Sequence, residues 1–342
     1  MSRKILLSLL GVVAVVLVVG CICQYRQKGS NTVYQTQILA MDTVMSFTAY
    51  GRNAEAAVEA AVEEVERLDA LLSTGSATSE VSCINADGGG TLSEDTCVIL
   101  EEALTIYEET GGLFDVTVYP LVELWGFYSG EYHVPTEEEL EEALALVDAS
   151  AIELQGDQVT LGEGQMLDLG GIAKGYTSAR IMEIYAEYGV TSGMVSLGGN
   201  VQTLGTKPDG SDWRIGIQDP DGETGSILGA LPVVDKAVIT SGGYERYFEE
   251  DGNTYIHILD PRSGCPADSG LISVSIVSEN GMLADALSTA LYLMGLDEAT
   301  EYWRAHADEF DAIFVTEDRE VYVTEGIGGE FETEAEVTVI KE

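Results

Sequence analysis

Two short stretches contain the residues whose types and spacing could bind a phosphate and a metal ion. In Asp168-Leu-Gly-Gly-Ile-Ala-Lys174-Gly, a glycine pair precedes a helical pattern that has a lysine in its first turns. Glycines let the backbone approach a ligand, and the free N–H groups at a helix start attract anions. In Ala284-Asp285-Ala-Leu-Ser-Thr289, a carboxylate and a hydroxyl lie four residues apart, hence on one helix face. Because Mg²⁺ prefers oxygen ligands and takes few from protein, the two stretches together predict a magnesium and phosphate site.

The charge of the chain makes Lys174 stand out. The sequence has 59 Asp and Glu but only 16 Lys and Arg, which gives a formal net charge of −43. A field of this sign repels polyanions, so nucleic acid is not an expected partner. No Lys or Arg occurs between Arg67 and Lys174, and a phosphate ligand therefore depends on a local cation or a helix N-terminus. Asp168 either caps the following helix or accepts hydrogen bonds from a ligand.

The N-terminus resembles a bacterial lipoprotein signal. A basic start is followed by the apolar run Ile5–Val19 and then by Gly20-Cys21, which is the order of a secretory signal. We predict a signal peptide over residues 1–20, lipidation of Cys21 and a polar tether over residues 21–33. The protein is then expected at the cell membrane, lipid-anchored on its extracytoplasmic side. An uncleaved anchor is the alternative, although the run is shorter than the roughly 20 residues that span a bilayer.

Residues 34–342 contain no linker, repeat or break in composition, so we predict one domain there. Strands in clusters separated by helices favour an α+β fold, a single two-lobed domain with mixed or antiparallel sheets and packed helices. Helices are predicted over Asn53–Leu72, Cys97–Thr110, Thr136–Leu146 with a capping box, Leu167–Tyr188, and Met282–Met294 ended by Gly295. Strands are predicted within Ile38–Tyr50, Met194–Ser196, Trp213–Gln218, Ala237–Ile239, Tyr255–Leu259, Ile272–Val277 and Ala312–Val323.

The cysteines of this domain do not predict a metal site. Cys83, Cys97 and Cys265 are widely spaced, and no C-x-x-C pair occurs, so a zinc site is not expected. An extracytoplasmic location permits a Cys83–Cys97 disulfide. The sequence leaves that disulfide and unpaired thiols as alternatives.

Further blocks give the chain a resemblance to the ApbE family of bacterial flavin transferases, from about Thr36 to Val323. The matching blocks are Met41–Thr43, Ser79–Val81 with Ile84-Asn85, Gly112–Thr117 with Leu124–Phe127, Asp168–Tyr176, Ser196–Asn200, Thr240–Arg246, Tyr255–Pro261 and Ala284–Thr289. So many blocks in order, with sensible spacing, are hard to obtain by chance.

The resemblance implies a Mg²⁺-dependent FAD:protein FMN transferase. Such an enzyme takes FAD as its substrate, moves the FMN half onto a Thr or Ser hydroxyl of an acceptor protein, and releases AMP. Acceptors in the family include subunits of membrane redox complexes and extracytoplasmic electron-transfer proteins. By the family pattern, FAD would be contacted by Met41, Leu113, Phe114, Asp115, Asp168, Lys174 and Ile256.

The family pattern also implies a metal site and a catalytic base. The metal ligands would be the carbonyl of Gly171 and the side chains of Asp285 and Thr289. His257 is the candidate catalytic residue, a general base or proton relay for the acceptor hydroxyl, because histidine titrates near neutral pH. A buried structural histidine is the alternative interpretation of His257.

Two departures from the family pattern bear on the site. Relatives usually carry an aromatic residue shortly before the Ser-Glu block, where it can stack on the flavin, but the loop here is Ser73–Thr78 and has none. Tyr244 and Phe114 are candidates to replace it. Some relatives also place an acid three residues before the metal aspartate, where this chain has Met282.

Two other functions stay open at this stage. The same site could hydrolyse FAD to FMN and AMP, with water in place of the acceptor hydroxyl. A flavin-binding lipoprotein without turnover is the third hypothesis, and it predicts bound FAD that magnesium leaves unchanged.

Overall fold

The structure is a computed structural model that describes residues 32–222 and 225–342. The predicted signal peptide, Cys21 and nearly all of the predicted tether lie outside the described residues.

The strands are β1 Val33–Ala40, β2 Thr43–Tyr50, β3 Gly89–Thr91, β4 Glu153–Gln155, β5 Gln158–Thr160, β6 Gly193–Leu197, β7 Asn200–Leu204, β8 Trp213–Gln218, β9 Ile227–Val233, β10 Ala237–Gly242, β11 Tyr247–Glu250, β12 Asn253–Ile256, β13 Leu271–Ser278, β14 Phe310–Thr316, β15 Val321–Thr324, β16 Glu332–Thr333 and β17 Val337–Ile340. The α-helices are α1 Ala54–Leu72, α2 Glu80–Asp87, α3 Glu94–Glu109, α4 Tyr119–Leu124, α5 Glu137–Leu144, α6 Ala173–Glu187, α7 Gly281–Ala305 and α8 Glu325–Gly328, with a 3₁₀ turn at Ala149–Ala151.

A nine-stranded sheet organises the fold, in the order β1-β2-β6-β7-β10-β13-β14-β15-β17. Its neighbouring strands are antiparallel, except that β15 and β17 are parallel. Smaller sheets are β16-β9-β8, β3-β5-β4 and β11-β12. Mixed and antiparallel sheets with packed helices confirm the predicted α+β fold. Within the described ranges, no helix is both long and apolar enough to cross a membrane.

The central sheet is covered on both faces. Successive side chains of a strand point to opposite faces, and on β10 Ile239 belongs to the apolar cluster around α7, whereas Val238 packs with the β8–β9 sheet. Helices α1, α6 and α7 contact one another in sequence, α1 with α6 and α6 with α7. Helix α7 also packs on β10 and β13, so the two predicted motif stretches lie on adjacent helices.

Helix α7 consists of two helical segments that meet at Gly295. The first segment ends where the sequence predicted, because Gly295 leaves the helical conformation, with φ 76° and ψ 171°. A second segment, which the sequence did not predict, follows directly and continues to Ala305. A side chain at Gly295 would lie 2.9 Å from the carbonyl oxygen of Ser269, so this glycine also allows a close backbone approach where the two segments meet.

Of the two alternatives for the cysteines, a disulfide or unpaired thiols, the structure has unpaired thiols. Cys83, Cys97 and Cys265 are all unpaired in the structure, and Cys83 is exposed. Cys97 lies on α3 with its sulfur 3.8 Å from the carbonyl oxygen of Gly156. No disulfide therefore contributes to the stability of the fold within the residues described.

The close packing of α6 on α7 depends on Gly175. A Cβ there would clash with the carbonyl oxygen of Gly281 and lie 2.7 Å from the Cβ of Asp285. These atoms belong to two packed helices and cannot rotate away, so we expect Gly175→Ala to lower the free energy of unfolding by about 2–3 kcal/mol. That loss exceeds the roughly 1 kcal/mol that alanine gains over glycine in a helix.

Urea unfolding measures this effect. Glu187→Ala, at the exposed end of α6, is the matched control and should change stability by no more than about 0.5 kcal/mol. An unchanged urea midpoint for Gly175→Ala would contradict the packing argument.

Candidate active site

The carboxylate of Asp285 joins the two motif stretches. Helix α6 begins without a side-chain cap from Ile172, the residue that precedes it. Asp285 on α7 supplies that cap, because its Oδ2 accepts a hydrogen bond of 2.8 Å from the N–H of Gly175. Its Oδ1 accepts a hydrogen bond of 2.8 Å from Nδ2 of Asn200, at the start of β7. The start of α6, the first turns of α7 and the β6–β7 turn therefore meet at one carboxylate.

The Asp285 carboxyl group is buried, and neighbouring groups offset part of the cost of burying its charge. The residue is 4% exposed, and burial raises the pKa of its carboxyl. The charge of Lys174 and the hydrogen bonds from Gly175 and Asn200 act in the opposite direction. A carboxylate in such surroundings gains stability when a cation binds beside it.

The predicted ligand set has oxygen atoms to spare for a metal. Each carboxylate oxygen of Asp285 accepts one side-chain or backbone bond described above and keeps lone pairs free. The carbonyl of Gly171 accepts no hydrogen bond from the part of the chain that the structure describes. Thr289 is half-buried, and its Oγ1 lies 3.3 Å from Oγ of Ser241. A carboxylate, a hydroxyl and a carbonyl fit Mg²⁺, which favours oxygen and completes its shell with water and phosphate.

Met282 stands where some relatives have an acid, and it brings no oxygen to the site. The residue is half-buried, and a thioether offers only sulfur. No group of three or more His, Cys, Asp or Glu in residues 32–222 and 225–342 is arranged to hold a metal ion. The metal ligands Gly171, Asp285 and Thr289 stay a prediction.

The glycine turn is stabilised by its own side chains. Oδ1 of Asp168 accepts a hydrogen bond of 2.8 Å from the N–H of Gly170, so Asp168 closes the turn and does not cap α6. Nζ of Lys174 donates to the carbonyl of Gly170 at 3.2 Å. Burial raises the pKa of the Asp168 carboxyl, against the influence of Gly170, Tyr128, Lys174 and Arg246. Lys174 therefore folds back over the turn, where a phosphate would meet it.

Two further turns lie beside the start of α6. The β1–β2 turn contains Met41 and Asp42, both with positive φ. Oγ1 of Thr177 on α6 lies 3.9 Å from Sδ of Met41. A side chain at Gly198 would clash with Thr43, so the β6–β7 turn packs directly on the β1–β2 turn. The structure thus brings Met41 and the Asn200 turn to the same end of α6.

Leu113, Phe114 and Asp115 lie beneath the glycine turn. All three are buried, and the ring of Phe114 comes within 3.1 Å of where a Cβ on Gly171 would be. Oδ1 of Asp115 accepts bonds from the N–H and hydroxyl of Thr117, and Oδ2 accepts one from the N–H of Ala149. The Asp115 carboxylate is engaged inside the protein, and its contact with FAD stays a prediction.

His257 is positioned by the β11–β12 hairpin. Its backbone N–H and its Nδ1 lie 3.0 and 3.1 Å from the carbonyl oxygen of Arg246. Nδ1 must carry a proton to donate to a carbonyl, which leaves Nε2 as the proton acceptor. The ring of Phe127 meets the imidazole edge-on, with centroids 6.4 Å apart. Ile256, the residue before His257, is half-buried and packs against Gly243.

The surroundings keep His257 neutral. Burial lowers the pKa of the imidazole to about 4, and the charges of Arg246 and Lys174 act in the same direction. The imidazole is then neutral at neutral pH and can take a proton, but it is a weaker base than the near-neutral histidine that the sequence predicted. The charge of Lys174 acts on His257, Asp168 and Asp285 alike, so these groups lie near one another, and we refer to the space among them as the cleft.

Sequence reasoning missed several residues of this cleft. Burial raises the pKa of Glu245 to about 7, and the charges of Lys174 and Asp285 both act on it. Arg246 acts on Asp168 and on His257. Asn200, Glu245 and Arg246 each lie at or near the end of a block that carries the family resemblance, and this position could have marked them as site residues. Tyr128 lies just after such a block, and nothing in the sequence marked it.

Comparisons with known proteins identify the same family over most of the chain. The family model of the ApbE family matches residues 41–314. An FAD:protein FMN transferase of Klebsiella pneumoniae (strain 342) is 32% identical over 302 residues, covering 86% of this chain and 92% of that protein. Among solved structures, the ApbE protein of Thermotoga maritima matches with a TM-score of 0.81 and 33% identity, covering 86% of this chain and 98% of that one. The flavin transferase ApbE of Vibrio cholerae matches with a TM-score of 0.78 and 26% identity, covering 87% and 100%.

Proposed function

This chain belongs to the ApbE family, and from that membership we propose that it is an FAD:protein FMN transferase. The observation that carries the proposal is the buried Asp285, whose carboxylate ties the start of α6 and the β6–β7 turn to α7 beside Lys174. Lys174 also acts on His257, which brings the candidate base to the same site. The cleft offers a cation, a helix start and a neutral base to a pyrophosphate substrate.

Each of these groups has a role in the proposed reaction. The oxygen of an acceptor Thr or Ser hydroxyl forms a bond to the FMN-side phosphorus of FAD, the bond from that phosphorus to the bridging oxygen breaks, and AMP leaves. The hydroxyl proton passes to Nε2 of His257. Lys174 and the N-terminus of α6 orient the phosphates and offset their charge, so that positioning and electrostatics lower the barrier.

Magnesium completes the proposed site. The Gly171 carbonyl and the side chains of Asp285 and Thr289 would hold it, and when bound it supplies positive charge against the phosphoryl oxygens. In a chain with a net charge of −43, such local positive charge is what an anionic substrate requires.

The proposed location rests on the N-terminal sequence. We expect cleavage before Cys21, lipidation of that cysteine, and a catalytic domain on the extracytoplasmic side of the cell membrane, facing acceptors such as redox-complex subunits or extracytoplasmic electron-transfer proteins. Metabolic labelling with a radioactive fatty acid tests this. Label that persists in a Cys21→Ser variant would contradict it.

Mass spectrometry tests the proposed reaction directly. The mature protein is mixed with FAD, Mg²⁺ and a candidate acceptor, and the expected result is one FMN adduct on an acceptor Thr or Ser with an equal amount of AMP. AMP and FMN released without an acceptor adduct would indicate a hydrolase. FAD that stays bound and intact would indicate a flavin-binding protein.

The pKa of His257 predicts a pH profile for transfer. Only the neutral imidazole accepts the proton, so activity falls as pH decreases through its pKa of about 4. Glu245 titrates near pH 7 in the same site, so the profile is measured in a Glu245→Gln background. There we expect kcat/KM to stay nearly constant from about pH 7.5 to 5.5, whereas an ordinary histidine pKa near 6.5 would cost about tenfold by pH 5.5. Circular dichroism at each pH confirms that the fold persists. A tenfold loss at pH 5.5 with the fold intact would contradict the lowered pKa.

A further inference from the structure

A row of hydroxyl groups connects strand β10 to the predicted metal ligand Thr289 on α7. Oγ of Ser241, near the end of β10, lies 2.8 Å from Oγ of Ser288 and 3.3 Å from Oγ1 of Thr289. Strand β10 packs on α7, which brings Ser241 against two consecutive residues of the helix. Ser288 is 1% exposed, so protein groups alone satisfy its hydroxyl.

The backbone carbonyl of Asp285 fixes the direction in which the hydroxyl protons point. A hydroxyl has one proton to donate, whereas a carbonyl oxygen can only accept. Oγ of Ser288 lies 2.8 Å from the carbonyl oxygen of Asp285, so Ser288 donates its proton there. Ser241 must then donate to Ser288, and its own oxygen accepts from Thr289. The donors therefore run in one direction, from Thr289 through Ser241 and Ser288 to Asp285.

This direction prepares the oxygen of Thr289 for a cation. The proton of Thr289 points toward Ser241, and Oγ1 makes no other hydrogen bond to the residues that the structure describes. Its lone pairs are thus free. Mg²⁺ binds oxygen ligands through their lone pairs, so a proton turned toward the ion would oppose binding. A hydroxyl that is oriented before the metal arrives lowers the ordering cost of binding.

We propose that Ser241 and Ser288 are positioning residues for the metal site, because together they hold the hydroxyl of Thr289 with its proton turned away from Mg²⁺. The inference rests on the proposed function, since it concerns the metal site used there. Packing between β10 and α7 does not by itself require serine, because alanine would fill nearly the same space with no hydroxyl to satisfy.

Calorimetric titration with Mg²⁺ alone tests the proposal without turnover. We expect Ser241→Ala to weaken Mg²⁺ binding by roughly 10-fold, as is usual when a residue that orients a metal ligand is lost. Ser288→Ala should also weaken it, although Ser288 makes no hydrogen bond to Thr289. Without Ser288, Ser241 can donate to Thr289, and the proton of Thr289 is then free to turn toward the metal.

Ser275→Ala is the matched control. Ser275 on β13 is also 1% exposed, and its Oγ lies 2.7 Å from Oγ1 of Thr240, the residue before Ser241 on β10. Successive residues of a strand point to opposite faces, so this second hydroxyl pair lies on the face of the sheet away from α7. Its loss should leave Mg²⁺ affinity unchanged.

A double-mutant cycle distinguishes positioning from a structural role. With Thr289→Ala no hydroxyl is left to orient, so adding Ser241→Ala should cause no further loss of Mg²⁺ affinity. A general disturbance of the packing between β10 and α7 would add its own loss in that background.

The outcomes separate the inference from the function beneath it. If the unaltered protein forms no FMN adduct at any Mg²⁺ concentration, the proposed function fails. If it forms the adduct and binds Mg²⁺, but either serine variant keeps full Mg²⁺ affinity or the loss from Ser241→Ala persists beside Thr289→Ala, only the positioning role is overturned. Adduct formation without any Mg²⁺ binding would overturn the metal site and the positioning role together.

Discussion

Replacing Asp285 by Asn is expected to lower the rate of FMN transfer by at least about 100-fold while the protein stays folded. The substitution removes the only carboxylate in the proposed metal ligand set. An amide oxygen binds Mg²⁺ without the charge that a carboxylate contributes, and the carbonyl of Gly171 and the hydroxyl of Thr289 are both neutral. The negative charge that attracts the metal would then come from the substrate phosphates alone.

The fold should tolerate Asp285→Asn because the new side chain keeps the same shape. Its amide oxygen can accept the bond from the N–H of Gly175, and its NH₂ group can donate to Asn200 once that side chain turns its oxygen inward. The substitution also removes a buried charge whose desolvation opposes folding. We therefore expect a urea midpoint at or above that of the unaltered protein.

Asp311→Asn is the matched control for this experiment. Asp311 on β14 is half-buried, burial raises the pKa of its carboxyl as it does for Asp285, and its Oδ1 accepts a bond from the Thr324 hydroxyl at 2.8 Å. Its substitution should leave transfer unchanged, measured with FAD and Mg²⁺ at saturation. Full activity of Asp285→Asn at ordinary Mg²⁺ concentrations would disprove the metal assignment.

Elements with a strong local pattern were predictable from the sequence. The helix predicted over Asn53–Leu72 is α1, Ala54–Leu72, because an apolar stripe at helical spacing specifies its own buried face. The capping box of Thr136 and Glu139 forms as predicted at the start of α5, because both partners lie within one turn of the chain. Such interactions are decided by neighbours in sequence.

Elements that depend on distant partners were not predictable. Strand β9 pairs with β8 and also with the two-residue β16, about a hundred positions later in the chain. Strand β17 joins β15 in parallel. The periodicity of one strand carries no information on which sheet edge it will pair with. In the same way, the sequence predicted that a helix ends at Gly295 but not that a second helical segment follows it.

The residues of the candidate site also fall into those that local patterns predicted and those that depend on distant partners. Residue types and spacing indicated Lys174, Asp285 and Thr289, since glycine turns and i, i+4 pairs are local patterns. That Asp285 would cap α6 from another helix required the packing of Gly175 against Gly281, which no local pattern encodes. Likewise, Asp168 closes its own turn because α6 begins only at Ala173, five residues later, and not at the predicted Leu167.

Replacing His257 by Ala is expected to slow FMN transfer by about 100- to 10,000-fold, with FAD affinity nearly unchanged. In the proposed reaction the neutral imidazole is the base, and its loss would leave the acceptor hydroxyl to be deprotonated by water. His133→Ala is the control, because His133 is an exposed histidine paired with Glu139 and should retain full transfer. Equilibrium dialysis with FAD and the rate of adduct formation separate binding from chemistry.

His257→Gln distinguishes a base from a structural residue. A glutamine NH₂ group can still donate to the carbonyl of Arg246, the bond that Nδ1 makes in the hairpin, but its amide oxygen is not basic. If His257 acts as the base, the Gln and Ala variants should be equally slow, and added imidazole should restore part of the rate in the Ala variant. If the histidine only holds the hairpin, Gln should recover activity that Ala loses, and turnover undiminished in both would leave His257 outside the chemistry altogether.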